Sequence, residues 1–567
     1  MENLGRGVVA IRSAEDQAFI SWRVLGLDPD EIGFNLYRST GDGDAELLNE
    51  DALTKGSNYV DSTADLTKDN SYHVTTIIDG KESKASESWT LEADAEVGPL
   101  FRVPIKAGNP IRYIWVGDLD GDGEYDFIVD RQGKPQCIEA YLRNGTFLWE
   151  HNQGDNSLDQ GTIESGSSTI DLGSADGVTV YDFDGDGRAE VAIRISNGVT
   201  FGDGETFEYE DDDHQFIAFL DGMTGALRAV SPYPDDYISD GPMGGRFGVG
   251  YLDGKTPHLV SVMKNRQDAG PFNLIAAAWT FDGESADLAW MWKRDDQDAP
   301  DGHNTRIIDV DGDGVDEVGE LGFMLNGDGT LRYSLGPAGI VHGDRWHIAK
   351  IDPERDGLQG YGVQQDNPSL LYEYYYDATD GKIIWEHYGD EEGDNGRGMI
   401  GDIDPNYPGM ETWSFLGLYN GPSNELIGDA DVFPYPQLGV WWDGDELLES
   451  INDGNIGKWD PEASKIQRLV TTYHSGATPA DGDPMFQGDI LGDWREEVVY
   501  TNSEYSELII FTTDQPTDVR LYTLMHNPAY RNAVTLKGYV QSHHVDYFMG
   551  AGMGKPSTPN ITYTKRA

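Results

Sequence analysis

Carboxylates spaced for a hard cation recur three times in this chain. The copies are Asp118-Leu-Asp120-Gly-Asp122-Gly-Glu124-Tyr-Asp126, Asp182-Phe-Asp184-Gly-Asp186-Gly-Arg188-Ala-Glu190 and Asp309-Val-Asp311-Gly-Asp313-Gly-Val315-Asp-Glu317. Each places acids at relative positions 1, 3, 5 and 9 and glycine at position 6. A tight turn of that kind converges several oxygens on one calcium ion, and the glycine supplies the bend. A lone Asp-rich loop is usually a solvated turn, but three copies at one spacing point to Ca2+. Asp402-Ile-Asp404 and Asp489-Ile-Leu-Gly-Asp493 are degenerate copies and join the candidate ligands.

Histidines are scarce, 12 in the chain, and several fall in polar settings. His303 precedes the third loop, and His342-Gly-Asp-Arg345-Trp-His347 gathers two histidines, an acid and an arginine. His474, His543 and His544 complete the set of interest. Neutral imidazole can take a proton or bind a metal, although a single histidine is more often structural. Arg397, between two glycines, and Arg246, after two, are cations on open backbone that suit an anionic ligand; ion pairing with the many carboxylates is the plain alternative.

These residues need a scaffold, and the chain is all-β in pattern. Strand-like runs flank the acidic loops (Ile111–Val116, Phe127–Val129, Val178–Tyr181, Val191–Ile195), which favours hairpin loops over helix–loop–helix hands. Residues 1–94 lack such loops. Their alternating runs (Gln17–Trp22, Gly33–Arg38, Ser71–Ile77) predict a small β-sandwich like a fibronectin type III module. From residue 95 to 567 a turn-then-strand signal repeats at Arg143–Trp149, Asp221–Leu227 and Asp377–Trp385. The second and third acidic loops lie about twice as far apart as the first and second, which predicts a β-propeller of seven or eight blades.

Composition excludes several classes. A net charge of -61, from 101 acidic and 40 basic residues, repels phosphate backbones and removes nucleic acid as a partner. Spread along a chain with 11% aromatic residues, this charge fits a folded protein from a high-salt environment better than disorder. One cysteine, Cys137, permits no internal disulfide and no Cys-rich zinc site. No apolar run approaches membrane-spanning length, so no membrane partner is expected.

Several stretches together resemble the rhamnogalacturonan lyases of polysaccharide lyase family 11. They are Met1–Val9, Ile20–Arg23, Phe34–Arg38, Val116–Tyr125, Gly396-Arg-Gly398 with Gly401–Pro405, Leu438–Gly444, Asp489–Val498, Leu521–His526 and Tyr530-Arg531. The resemblance covers nearly the whole chain. It implies an eight-bladed calcium-bearing propeller with a small β-module. It also implies β-elimination in an acidic plant-type polysaccharide, by a monomer working outside the cell. Two departures mark this chain as divergent. A cleft lysine of the family is absent from Tyr473-His-Ser-Gly-Ala-Thr478. In Thr535–His544, Tyr539 and His544 match the family whereas Lys537 and His543 do not.

β-Elimination needs the uronate carboxylate neutralised, the C5 proton removed and the leaving O4 protonated. The candidates for this chemistry are Arg397, which matches a cleft arginine of the family, with His342, His303, Lys537 and Tyr539. Arg246, Arg345, His347, His474, His543 and His544 are candidate substrate contacts. His342 and His347 holding a metal is an alternative. Trp441-Trp442 and Tyr374–Tyr376 alternate along strands, so at least half are expected in the core. A non-catalytic calcium propeller that binds carbohydrate or protein is the rival reading.

Overall fold

The computed structural model describes all residues except 134, 155–156, 159–169, 172–176, 212–213, 241–242, 267–270, 296, 429–431, 481, 538–540 and 566–567. Tyr539 therefore lies outside the described residues. The architecture is all-β. Among the described residues the one α-helix is α1, Pro528–Thr535. Its N-cap Asn527 accepts a bond from the Tyr530 amide, and Pro528 occupies the first turn, where its missing N–H is harmless.

Eight four-stranded antiparallel sheets follow one another among the described residues, here numbered I to VIII. Their first strands are Ile114–Gly117, Val178–Tyr181, Gly244–Gly250, Thr305–Ile308, Trp346–Ala349, Gly398–Gly401, Leu438–Val440 and Phe486–Gly488. Sheets I to VII each take consecutive strands. Sheet VIII takes its fourth strand, Leu100–Pro104, from before sheet I, where it pairs with Glu507–Phe511. Near-continuous burial of the inner strands explains their apolar runs, as in Phe127–Val129 and Val191–Ile195.

Each sheet is stapled to the next. The Trp149 indole N–H donates to Gly222 O at 2.8 Å, joining I to II. Arg228 to Gly283 O joins II to III, and Trp290 to Gly327 O joins III to IV. The Tyr333 hydroxyl to Ala378 O and the Trp385 indole to Gly421 O carry the series to VI. The Leu448 amide donates to Asp402 O, and Arg495 donates to Asp443 O. Arg131 of sheet I reaches Tyr505 O of sheet VIII at 3.1 Å, so the series returns to its start. The repeated turn-then-strand signal in the sequence marks these staples. Helix α1 packs on the first strands of sheets II, III and IV.

Residues 9–91 form two further small sheets around Trp22, Phe34, Leu36, Tyr72 and Val74. Buried Arg23 ties them to the first acidic loop by donating to Glu124 at 2.7 Å. No helix among the described residues is long and apolar enough to cross a membrane.

Candidate active site and acidic corners

The sheets give the molecule two ends of different chemistry. In six of the eight sheets an acidic corner lies where the first strand ends. The opposite end, where first strands begin, carries His303, Asp344, Arg345 and Arg397.

At the corners, register reveals a repeat wider than three loops. The first strand's last residue pairs with the second strand's first: Gly117↔Asp126, Tyr181↔Glu190, Ile308↔Glu317, Gly401↔Glu411, Val440↔Glu449 and Gly488↔Glu497. In each case the acid accepts a backbone N–H from the loop, for example Leu119 at 3.1 Å, Phe183 at 2.9 Å and Ile490 at 2.9 Å. Sequence reasoning missed Glu411, Glu449 and Glu497, because the loops before them are degenerate and only register aligns them.

Do these corners fit a cation? Burial raises Asp118 to about 7, Asp126 to about 8, Asp182 to about 6, Glu190 to about 9 and Glu317 to about 7. Burial also raises Asp402 to about 7 and holds Glu411 well above the carboxylate range. The buried oxygens Asp182 Oδ1, Asp402 Oδ1, Glu411 Oε1 and Asp489 Oδ1 have no donor. Acceptor-only groups left in this way fit a divalent cation with oxygen ligands. Ligand atoms of Asp118, Asp120 and Asp122, of Asp182, Asp184 and Glu190, and of Asp309, Asp311 and Glu317 converge within 4.8 Å. Asp186 and Asp313 turn their carboxylates to the amides of Arg188 and Val315.

Protein cations brace some corners. Arg228 donates to Asp184 and Glu190, and Arg332 donates to Asp311 and Glu317. By register, Leu148 stands where these arginines stand, so the first loop has no such brace from its fourth strand. In sheet VII the Lys458 ammonium lies 2.6, 2.6 and 3.2 Å from Asp443, Asp445 and Glu449, and Trp441 replaces the first aspartate. Two expected ligands have protein partners. Asp493 has both oxygens bound by Arg495, at 2.9 and 2.6 Å, because a buried carboxylate there needs a counter-charge. Asp404 turns to Asn406, and Glu411 takes the inner position beside Asp402.

At the opposite end, a short parallel bridge, Asp301-Gly302 with His342-Gly343, brings His303 and His342 together. Glycine is required at 343, since a Cβ there would meet Val363 O at 2.0 Å. The two Nε2 atoms are 3.2 Å apart, and Asp344 lies 3.6 Å from His303 Nε2. The His342 Nδ1–H donates to Asp301 at 2.7 Å, which leaves Nε2 as the acceptor facing His303. Ligand atoms of His303, His342 and Asp344 lie within 4.8 Å of one another. Burial, reinforced by Lys264 and Arg246, holds His303 far below its usual range, so it is neutral. Burial alone would raise Asp301, but the His342 bond and Lys264 outweigh it and bring Asp301 down to about 2. Arg397 completes the group, with Nη1 3.8 Å from Asp344 and a side chain 32% exposed. Phe272 floors the approach, with Lys264 and Arg266 over its ring at 4.3 and 4.4 Å.

The remaining expected contacts divide. Arg246 is buried under the site, donating to Glu320 at 3.0 Å and to Gly302 O, so it positions the His303 strand. Arg345 is also buried. His347 bonds Gly398 O at 2.9 Å and meets Arg306, and so supports Arg397 from behind. It is not beside His342 in a shared metal group. His543 and His544 are buried along the first strands, His544 against His347 at 5.4 Å. Both rings are buried, and His543 lines the small cavity beside Lys537. His474 is exposed on the outer edge of sheet VII. Lys537 follows α1 and faces a small cavity with Tyr113, Met485, Phe486, Gln541 and His543. Burial, with Arg531 adding, lowers Lys537 to about 7. Trp441, Trp442 and Tyr374–Tyr376 are all core.

Residues 111–559 match "Rhamnogalacturonan lyase family 11, C-terminal domain", and residues 1–91 match "Rhamnogalacturonan I lyases beta-sheet domain". The rhamnogalacturonan endolyase YesW of Bacillus subtilis (strain 168) is 33% identical, across 99% of this chain and 93% of its own. The rhamnogalacturonan exolyase YesX of the same organism is 31% identical, across 99% and 97%. Two solved structures superpose over 99% of both chains: YesW, at a TM-score of 0.86 and 32% identity, and a Bacillus licheniformis rhamnogalacturonan lyase, at 0.87 and 31%.

Proposed function

The chain belongs to rhamnogalacturonan lyase family 11 and is a polysaccharide lyase acting on rhamnogalacturonan, and from that premise we propose where and how it cleaves. The reacting uronate sits at the His303–His342–Asp344–Arg397 group. The observation that carries this is the convergence of two imidazole nitrogens and a carboxylate within 4.8 Å, beside a half-exposed arginine.

Arg397 binds the uronate carboxylate and stabilises the charge that grows there as C5 loses its proton. Asp301 fixes His342 in the tautomer that presents Nε2, and His303 stays neutral beside it. A divalent cation held by His303, His342 and Asp344 would act as a Lewis acid on the same carboxylate. Lys537, neutral above about 7, is the candidate base from the sheet I and VIII side. Tyr539 remains the candidate acid for O4. A second reading makes His342 itself the base. The Asp301 bond favours it, since a carboxylate–imidazole pair is the usual orientation device for a general base.

The finer architecture follows the same premise. The closed series of eight sheets supports an eight-bladed propeller over residues 95–567, with residues 1–94 as a fibronectin type III-like module. The unpartnered buried carboxylates support Ca2+ at the acidic corners. The net charge of -61 supports a halophilic protein, and a polymeric substrate supports work outside the cell.

Rhamnogalacturonan supplied with calcium in molar salt should yield the ultraviolet absorbance of an unsaturated uronate, together with fragments of matching mass. New reducing ends without that chromophore would mean hydrolysis. Binding without turnover would mean a carbohydrate-binding propeller.

A further inference from the structure

We propose that Phe415, Phe433 and Tyr435 form a stacking subsite beside Arg397 that takes the neutral deoxyhexose of the substrate backbone. This rests on the lyase reading above and adds a specificity element to it.

Position comes first. Gly398 pairs with Ser414, and Ser414 pairs with Gly417. Phe415 and Leu416 are thus the two-residue tip of the hairpin whose partner strand begins just after Arg397. Tyr435 lies three residues before the first strand of sheet VII, with its carbonyl accepting the Gln437 amide. All three rings therefore sit on the end where first strands begin, at the rim between sheets VI and VII.

Exposure comes second. Phe415 is 40% and Tyr435 45% exposed. Of the 19 phenylalanines, Phe415 is the exposed one among the described residues. Its ring is 5.6 Å from Tyr435 and 6.5 Å from Phe433. Two-residue hairpin tips prefer Asn, Asp and Gly, so Phe-Leu breaks a local rule. Rules of this kind are broken most often at functional sites. A clustered, exposed aromatic patch marks a binding surface more than a folding need.

Chemistry then selects the occupant. The chain is strongly acidic, at a net charge of -61, so a uronate is accepted only where a cation such as Arg397 receives it. The neighbouring sugar in a rhamnose–galacturonate backbone is uncharged and carries a methyl in place of a hydroxymethyl group. Its C–H face and methyl match the flat apolar faces of these rings, while its hydroxyls stay in water. Alternation of uronate and deoxyhexose would then be read by alternation of arginine and aromatic ring.

The test pairs calorimetric binding of a rhamnogalacturonan oligosaccharide with lyase kinetics in molar salt. The variants are Phe415→Ala with Tyr435→Ala, and Phe415→Trp alone. In the double variant, affinity should weaken and KM rise by about tenfold. Its kcat should stay within about twofold and its melting curve should not move, while Phe415→Trp should retain wild-type affinity. Homogalacturonan, which lacks the deoxyhexose, should bind wild type and double variant alike. Unchanged affinity and KM in an active double variant overturns the subsite alone, as does a fall in kcat without a change in KM. If the wild type neither binds nor cleaves rhamnogalacturonan, the lyase reading fails and the subsite fails with it.

Discussion

Arg397 and Lys537 show how far residue types alone can be read. Arg397 stood out in the sequence by its flanking glycines and its match to a cleft arginine, and Lys537 as a departure from the family's C-terminal run. Arg397 has one long ion pair, to Asp344 at 3.8 Å, so its removal leaves little buried charge unpaired. Arg397→Ala should lower kcat on rhamnogalacturonan on the order of 100-fold or more while leaving the melting temperature within a degree or two. Lys537 discriminates between the two candidate bases. Its buried ammonium is held at about 7, so a lysine base predicts a rate that rises with pH through about 7. Lys537→Met should abolish that limb and most of the activity. A surviving limb, with loss of activity in His342→Gln instead, assigns the base to His342. Asp301 and Asp344 were not singled out, since acids are abundant in this chain. Only the hydrogen bond of Asp301 to His342 and the 3.6 Å approach of Asp344 to His303 distinguish them.

At the scale of elements, the acidic corners were partly legible. Three were readable because the side-chain pattern is local and regular. Glu411, Glu449 and Glu497 were not, because recognising them requires knowing which residue pairs with the end of a first strand. The corner of sheet VII carries a definite expectation. Lys458 neutralises three carboxylates there while its side chain is 20% exposed. Lys458→Met should destabilise the fold by about 2 kcal/mol, between the values for an exposed pair and for a buried charge left unpaired. Denaturant unfolding in molar salt checks this, and a change below about 0.5 kcal/mol would falsify the brace. Calcium should not restore the loss, since Trp441 leaves that corner without its first oxygen ligand.

The whole molecule responds to pH and salt through groups spread over many sheets. Burial holds His151 at about 4, and His526 and His544 at about 3, against an ordinary value near 6.5. A lowered histidine pKa means that unfolding binds protons. The stability contributed by keeping these rings neutral is present above about 6.5 and lost as pH falls toward 4. These rings pull the melting temperature down between pH 7 and 5 against the opposite pull of the raised corner carboxylates, so a His151→Gln variant should lose less, or gain more, than wild type over that range. Salt acts on the net charge of -61. Lowering salt from molar to about 0.1 M lengthens the Debye length from about 3 to about 10 Å, and the melting temperature should fall with it. Full stability in dilute buffer with calcium would remove the halophilic reading. By itself the sequence determined the β class, the acidic corners and the family, because alternation, ligand spacing and motif order are properties of neighbouring residues. Tertiary structure decided which of the scarce cations and histidines meet. A parallel bridge of two residues on each side places His303 against His342, and a hairpin tip places Phe415 at the same end of its sheet as Arg397. Such contacts join residues distant along the chain, and no local pattern encodes them.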